Sequence, residues 1–217
     1  MWTLIRRKTV WRPAPAGWLL LLLLTTVVLG LAPTRLYRFL APSQEPAGDY
    51  LVVEGWVPDE GLPWIVSQFA GRNYRAVIST GGPIEVGRFL SEYGDWAQVG
   101  AARLIQAGIP RELVTAVPAD TVQKDRTYAS ALALRKHFAA LGVPSDVKID
   151  LVTVGPHARR SRRLFLKALG PEARVNALTI APDIYQEKNW WRTSEGFRTV
   201  LYETLAYGYT RIWLLTE

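Results

Sequence analysis

Short apolar runs alternate with longer amphipathic stretches from about residue 49 to the carboxyl terminus. Apolar runs of this kind, bounded by Gly, Pro or Asp, are typical of buried strands, and stretches with a helical period are typical of helices. The pattern predicts strands over residues 49–53, 75–80, 113–117, 149–154 and 175–180, and helices over 59–70, 95–107, 126–141 and 157–169. A further, aromatic-rich helix is predicted over about 189–215.

Strands and helices that alternate at this spacing predict an α/β domain over residues 49–217. We expect a mostly parallel sheet of about five strands with helices on both faces. Right-handed crossovers bring the segments that follow the strands to one edge of such a sheet. Side chains just after the predicted strands are therefore the candidates for a common site.

The amino-terminal part has a different pattern. Between Arg12 and Arg35 lie 22 residues without a charge, which as a helix span about 33 Å, the thickness of a hydrocarbon core. We predict a transmembrane helix over residues 13–34, with the lipid bilayer as its partner, and a linker over 35–48 that is Pro-rich from residue 41. The alternative is a cleaved signal peptide, since Gly30-Leu31-Ala32 resembles a cleavage site, but Pro33 is a poor start for a mature chain.

The basic residues are concentrated at the amino terminus. Residues 1–38 contain six basic residues and no acidic one, which leaves 20 basic and 19 acidic residues for the remainder, despite a net charge of +7. The charge therefore indicates membrane topology and no nucleic-acid partner. Four basic residues precede the predicted span and two follow it. This bias predicts a cytoplasmic segment over residues 1–12 and a single-pass inner (plasma) membrane protein with an extracytoplasmic domain.

Several kinds of chemistry are excluded or unsupported by composition. The chain has no Cys, which excludes disulfides, thiolate catalysis and thiolate metal sites. It has no paired His, no HxxxH spacing and no dense carboxylate cluster, so no metal site is predicted. No Ser lies in a nucleophile-elbow context either. The sequence leaves the cofactor open.

The segment Gly155-Pro156-His157 follows the fourth predicted strand and opens a helix. Ligands of parallel sheets bind where strand carboxyl ends meet helix amino ends. Arg160 lies one turn after His157 on the same helix face, so the pair suits an anionic group, with His157 as a candidate general acid or base. The alternative for His157 is a polar helix cap. The other histidine, His137, is predicted to be structural.

Two further segments are candidates for anion binding. Gly81 and Gly82 follow the second strand and allow a backbone to approach a phosphate or carboxylate, although a plain turn explains them as well. Arg126 and Thr127 open the helix over 126–141, where free amides and a guanidinium make an anion pocket. Helix capping alone is the alternative for Thr127.

Three ordered motifs resemble one family. Thr80-Gly81-Gly82-Pro83, then Arg126-Thr127 at a helix start, then the segment from Val152 to Ser161 (VTVGPHARRS) look like the motifs of the DUF218 proteins, also called YdcF-like or ElyC/SanA-like. The resemblance covers about residues 49–181. It implies a Rossmann-like fold and a part in bacterial envelope integrity or cell-wall precursor metabolism, with nucleotide-type ligands suggested for some members. The family's motif residues correspond to Gly81, Gly82, Thr127, His157 and Arg160.

The chain departs from this family at two places. Many members carry an acidic residue after the threonine, where this chain has Tyr128. The first strand ends in Glu54-Gly55-Trp56 in place of an apolar-Gly-Gly pattern. Glu54 and Asp120 are the candidates for the absent carboxylate, and Glu54 joins the predicted ligand-binding residues.

The leading hypothesis from the sequence is a membrane-anchored protein that binds an anionic, phosphorylated or nucleotide-like small molecule. A second hypothesis is a non-catalytic envelope scaffold that uses the aromatic tail to dock a partner or the bilayer. The simpler interpretation of its aromatic residues is that the tail packs across the sheet. A third option, a cytoplasmic nucleotide-binding domain, requires the inverted topology.

Overall fold

The computed structural model of the protein describes residues 14–85, 87 and 91–216. The chain divides into two compact units, Met1–Leu36 and Tyr37–Glu217. The predicted basic segment 1–12 and the first residue of the predicted span, Pro13, lie outside the described residues.

The first long element is the helix α1, Pro15–Leu40. Within the described part of the chain it is the one helix that is long and apolar enough to cross a membrane. It continues to Leu40, so residues 35–40 of the predicted linker are helical. Its last turn belongs to the second unit, in which Tyr37 and Leu40 are buried.

The second unit is built on a sheet of five parallel strands. These are β1 (Tyr50–Glu54), β2 (Ala76–Gly81), β3 (Val114–Pro118), β4 (Lys148–Val154) and β5 (Arg174–Ile180), in the order β3-β2-β1-β4-β5. The predicted α/β class and parallel sheet are confirmed, and each predicted strand lies within one or two residues of its observed bounds.

Helices cover both faces of the sheet because neighbouring residues of a strand point to opposite sides. Leu51 and Val53 of β1 pack in one apolar layer, which includes side chains from α2 (Leu62–Ala70) and α3 (Trp96–Gln106). Val52 packs in the other layer, with α4 (Arg126–Ala140) and α5 (Ala158–Leu169). The last helix, α6 (Ser194–Thr216), contacts α5 and the turn after β4.

The segment before β1 is fixed along the edge of the sheet. The backbone amide of Gln44 donates to the carbonyl of Ala177 in β5, and the Ala177 amide donates to the side-chain oxygen of Gln44. The Thr179 hydroxyl donates to the carbonyl of Pro42. The Gly48 amide donates to the buried carboxylate of Asp150 at 2.9 Å. Residues 42–44 therefore cover the β5 edge, which would otherwise offer unpaired backbone groups, and Gly48 is held by a side chain of β4.

Candidate functional site

A cleft of about 970 Å³ lies at the carboxyl ends of the strands. From β1 the chain proceeds outward to β2 and β3, and then returns to the other side of β1 as β4. Connections leave β1 and β4 on opposite faces of the sheet, so a crevice forms beyond the ends of these two strands. Open parallel sheets bind their ligands at such a position.

All seven site residues predicted from the sequence line this cleft. They come from four segments that are far apart in the chain and meet because parallel strands end at the same edge. The seven residues are Glu54, Gly81, Gly82, Arg126, Thr127, His157 and Arg160. Asp120, the other candidate carboxylate, does not line the cleft and pairs with Lys136 at an exposed position.

His157 is placed by a tight turn at the end of β4. Gly155 has φ +47°, in the left-handed region, and an added Cβ would lie 3.2 Å from the hydroxyl of Tyr37. The left-handed conformation therefore favours glycine there, and a larger residue would also have to displace the Tyr37 hydroxyl by a few tenths of an ångström. The short 3-10 helix Gly155–His157 then leads directly into α5 and directs the imidazole toward the cleft.

Both ring nitrogens of His157 face carboxylates. Nδ1 lies 2.8 Å from Oε1 of Glu203, a residue of α6. Nε2 lies 3.6 Å from Oε1 of Glu54 and 3.5 Å from the hydroxyl of Thr127. The indole of Trp56 packs edge-on against the ring, with 5.1 Å between centroids. The ring is therefore fixed on one side by Glu203 and presents Nε2 to the cleft.

His157 is charged at neutral pH in this environment. Burial by itself lowers the pKa of His157, but the charge of Glu54 and the hydrogen bond to Glu203 outweigh burial and raise the pKa to about 9. The protonated ring donates from both nitrogens. The ring thus carries a proton on Nε2 that can be given to a group bound in the cleft.

Glu203 joins His157 to Arg160. Its Oε2 accepts from Arg160 Nε at 2.8 Å, and its Oε1 accepts from Arg160 Nη2 at 3.0 Å. Burial raises the pKa of Glu203, but the hydrogen bonds from His157 and Arg160 outweigh it and lower the pKa to about 2. This fork occupies one edge of the guanidinium, formed by Nε and Nη2. Arg160 therefore holds Glu203 in place, in addition to lining the cleft.

The two glycines after β2 have different surroundings. A Cβ at Gly81 would lie 2.6 Å from the Cβ of Trp96, at the start of α3, so close helix–strand packing requires Gly81. A Cβ at Gly82 would meet no atom within 4 Å. Only Gly82 is open toward the space where a ligand would lie.

Charged side chains lie at the mouth of the cleft. Arg126 pairs with Glu85 at 2.9 Å, and about two thirds of each side chain is exposed. Lys124 and Asp125 also line this rim, and Asp125 has φ 58°, the one left-handed non-glycine among the described residues. The rim therefore carries charges of both signs. The arrangement that could select a ligand is provided by the largely buried side chains of His157, Arg160 and Glu203 and by the first turn of α4.

Glu203 is the site residue that the sequence patterns did not indicate. It lies in the predicted aromatic tail, 46 residues after its partner His157. One signal was available, since Glu203 is the sole acidic residue between positions 196 and 216. The other contributions of α6 to the cleft are Tyr202, Ala206, Tyr209 and Thr210.

No protein-family model, curated protein or solved structure matches this chain. The geometry of the cleft is therefore the main basis for a functional assignment.

Proposed function

We propose that this protein binds an anionic, phosphorylated or nucleotide-like small molecule in the cleft at the strand ends. One observation carries the proposal: a charged histidine, held by Glu203, presents its Nε2 proton to a cavity of about 970 Å³. A buried cation that faces a cleft is suited to neutralise a phosphate oxygen or to donate a proton to it.

The surroundings of His157 support an anionic ligand. The first residues of α4, Arg126 and Thr127, line the cleft, and the amino end of a helix attracts negative charge. Gly82 leaves room for a group to approach the backbone. In such a complex His157 would be the proton donor, and Arg160 would position it through Glu203.

The strand order supports the finer assignment of a Rossmann-like fold. The order β3-β2-β1-β4-β5 corresponds to the first five strands of dinucleotide-binding sheets. Together with the motifs that resemble DUF218 proteins, this leads us to propose a role in bacterial envelope integrity or in the metabolism of cell-wall precursors.

We further propose that α1 anchors the protein in the inner membrane, with the amino terminus in the cytoplasm and the domain outside. The length and apolar composition of α1 support a span, and the excess of four basic residues before it over two after it supports this orientation. Carboxyl-terminal fusions to alkaline phosphatase and to a cytoplasmic fluorescent reporter test it. Phosphatase activity is expected, and activity of the cytoplasmic reporter alone would establish the inverted topology.

Ligand binding is tested with the full-length protein in detergent micelles. The probes are inorganic phosphate, ribose 5-phosphate, a nucleoside diphosphate and a polyprenyl phosphate, and the readout is the unfolding temperature. At a probe concentration of 100 times Kd, a specific ligand raises Tm by about 5 °C or more. We expect His157→Ala to abolish the shift for the probe that binds.

His137→Ala is the matched control, because His137 lies near the end of α4 and does not line the cleft. It should retain the ligand-induced shift. If none of the probes raises the Tm of the wild-type protein, or if a probe raises the Tm of His157→Ala as much as that of the wild type, the cleft is not the anion site proposed here.

The scaffold hypothesis remains a second candidate because of one observation. Large apolar side chains of α6 are exposed, among them Leu205 at 68% and Ile212 at 67%. A scaffold would depend on this face and would tolerate the loss of His157. Envelope defects in a strain with Leu205→Ser but not with His157→Ala would favour the scaffold, and the converse pattern would favour the ligand-binding protein.

A further inference from the structure

Two buried polar side chains lie side by side at the inner end of the cleft. Glu54 of β1 and Thr80 of β2 are register partners in the parallel ladder, so their side chains point to the same face of the sheet. Glu54 is 3% exposed and Thr80 is 1% exposed, and both line the cleft. Each lies two residues after an apolar residue on the same face of its strand, Val52 before Glu54 and Ile78 before Thr80, and both of these belong to the apolar core.

Each of these side chains has an oxygen without a partner. Within the described residues, Oε2 of Glu54 and the hydroxyl of Thr80 accept and donate no hydrogen bond. The other oxygen of Glu54 is in use, since Oε1 accepts from the hydroxyl of Ser161 at 3.0 Å. Buried polar atoms in folded proteins are almost always paired with protein, with water or with a ligand. Two adjacent unpaired oxygens in a cleft therefore indicate a bound group.

We propose that Glu54 and Thr80 form a subsite for a hydroxyl group, supplied either by the ligand or by a water molecule. An ionised carboxylate only accepts, so the group that binds Oε2 of Glu54 must be a donor. A hydroxyl both donates and accepts, and the Thr80 side chain can do the same. An O–H group can therefore donate to Glu54 and accept from Thr80 at the same time.

The subsite adjoins the charged histidine, because Oε1 of Glu54 lies 3.6 Å from Nε2 of His157. A phosphate near Nε2 would thus have a hydroxyl-binding position beside it. This inference rests on the proposed function in that the cleft binds a phosphorylated molecule. It adds that the molecule is a phosphorylated polyol, or that an ordered water is held beside its phosphate.

Calorimetric titration of the full-length protein with ribose 5-phosphate and with inorganic phosphate tests the ligand source. If the ligand supplies the hydroxyl, the wild type prefers ribose 5-phosphate, and Glu54→Gln and Thr80→Val each reduce that preference at least about tenfold while phosphate affinity changes less. Thr153→Val is the matched control, since Thr153 is also buried with an unpaired hydroxyl but does not line the cleft.

A crystal structure of the phosphate-bound protein tests the water source. An ordered oxygen within about 3.2 Å of both Glu54 Oε2 and the Thr80 hydroxyl supports the subsite. If the wild type shows no preference for ribose 5-phosphate and no oxygen lies there, the subsite is overturned. If none of the four probes used to test the proposed function binds, that function fails, and a crystal structure of the protein alone still decides the subsite by the presence or absence of an ordered oxygen between Glu54 and Thr80.

Discussion

Oε1 of Glu203 lies 2.8 Å from Nδ1 of His157, although the two residues are 46 positions apart in the chain. The last helix of the domain therefore decides which ring nitrogen faces the cleft. A histidine whose Nδ1 proton is held by a carboxylate has a fixed orientation and a raised basicity at its other nitrogen. The cleft and α6 are for this reason one functional unit.

Removal of the Glu203 charge should lower the pKa of His157. Glu203→Gln removes one of the two carboxylates that favour the charged ring, so we expect the midpoint of the ring titration to fall by at least about one pH unit. NMR measures it directly, since His137 is the only other histidine. Glu195→Gln, at a surface position of α6 paired with Arg198, is the control and should leave the midpoint near 9. An unchanged midpoint in Glu203→Gln would show that Glu203 does not hold the ring.

The stability of the protein should fall both at high pH and at low pH. The pKa of His157 is raised to about 9 in the folded state, so its contribution is complete below about pH 6.5 and is lost as the pH rises through 9. The pKa of Glu203 is lowered to about 2, so its contribution is complete above about pH 4.5 and is lost as the pH falls toward 2. Thermal unfolding from pH 3 to pH 10 measures both effects. In His157→Ala the decline between pH 6.5 and 9 should be smaller than in the wild type.

Neighbouring glycines after β2 should respond differently to the same substitution. Gly81→Ala places a Cβ 2.6 Å from the Cβ of Trp96, which forces a shift of packed backbone and should cost about 2 kcal/mol of unfolding free energy. Gly82→Ala meets open space and should change stability by less than about 0.5 kcal/mol. Denaturant unfolding of the two variants provides the comparison. Equal losses would mean that the packing against Trp96 is not what requires Gly81.

The buried carboxylate of Asp150 should be important for the stability of the fold and not for ligand binding in the cleft. It accepts hydrogen bonds from the amides of Ala47 and Gly48, the hydroxyl of Tyr74 and the amide group of Asn176. Asp150→Ala leaves these four donors without their acceptor, which should cost about 3 kcal/mol.

Urea unfolding measures the loss in Asp150→Ala, with the exposed Asp146→Ala as the control. Ligand affinity of the folded fraction should be unchanged, because Asp150 does not line the cleft. A variant as stable as Asp146→Ala would contradict the role assigned to Asp150.

Most of the fold could be predicted because it depends on short-range patterns. Apolar runs bounded by Gly and Pro located all five strands, and their alternation with helices gave the parallel sheet. The same logic brought Glu54, Gly82, Thr127 and His157 to one cleft, since each follows or ends a strand or opens a helix at the shared edge.

The remainder of the site depends on long-range packing, which no local pattern reports. The position of α6 over the turn after β4 brings Glu203 to His157, and nothing in the spacing of the tail indicates that approach. Arg160 lines the cleft, and the spacing did not indicate that Glu203 would take up one edge of its guanidinium. Asp120 follows β3 in the chain as the pattern requires, yet it pairs with Lys136 on the surface.

The segment that runs beside β5 also has a mechanical consequence. A pull on the amino-terminal end of the chain reaches the domain first at the buried side chains of Tyr37 and Leu40. It then reaches the hydrogen bonds of residues 42–48 with β5 and Asp150, all of which precede β1 in the chain. Force on the amino-terminal end is therefore borne by this segment before it reaches β1 and Glu54.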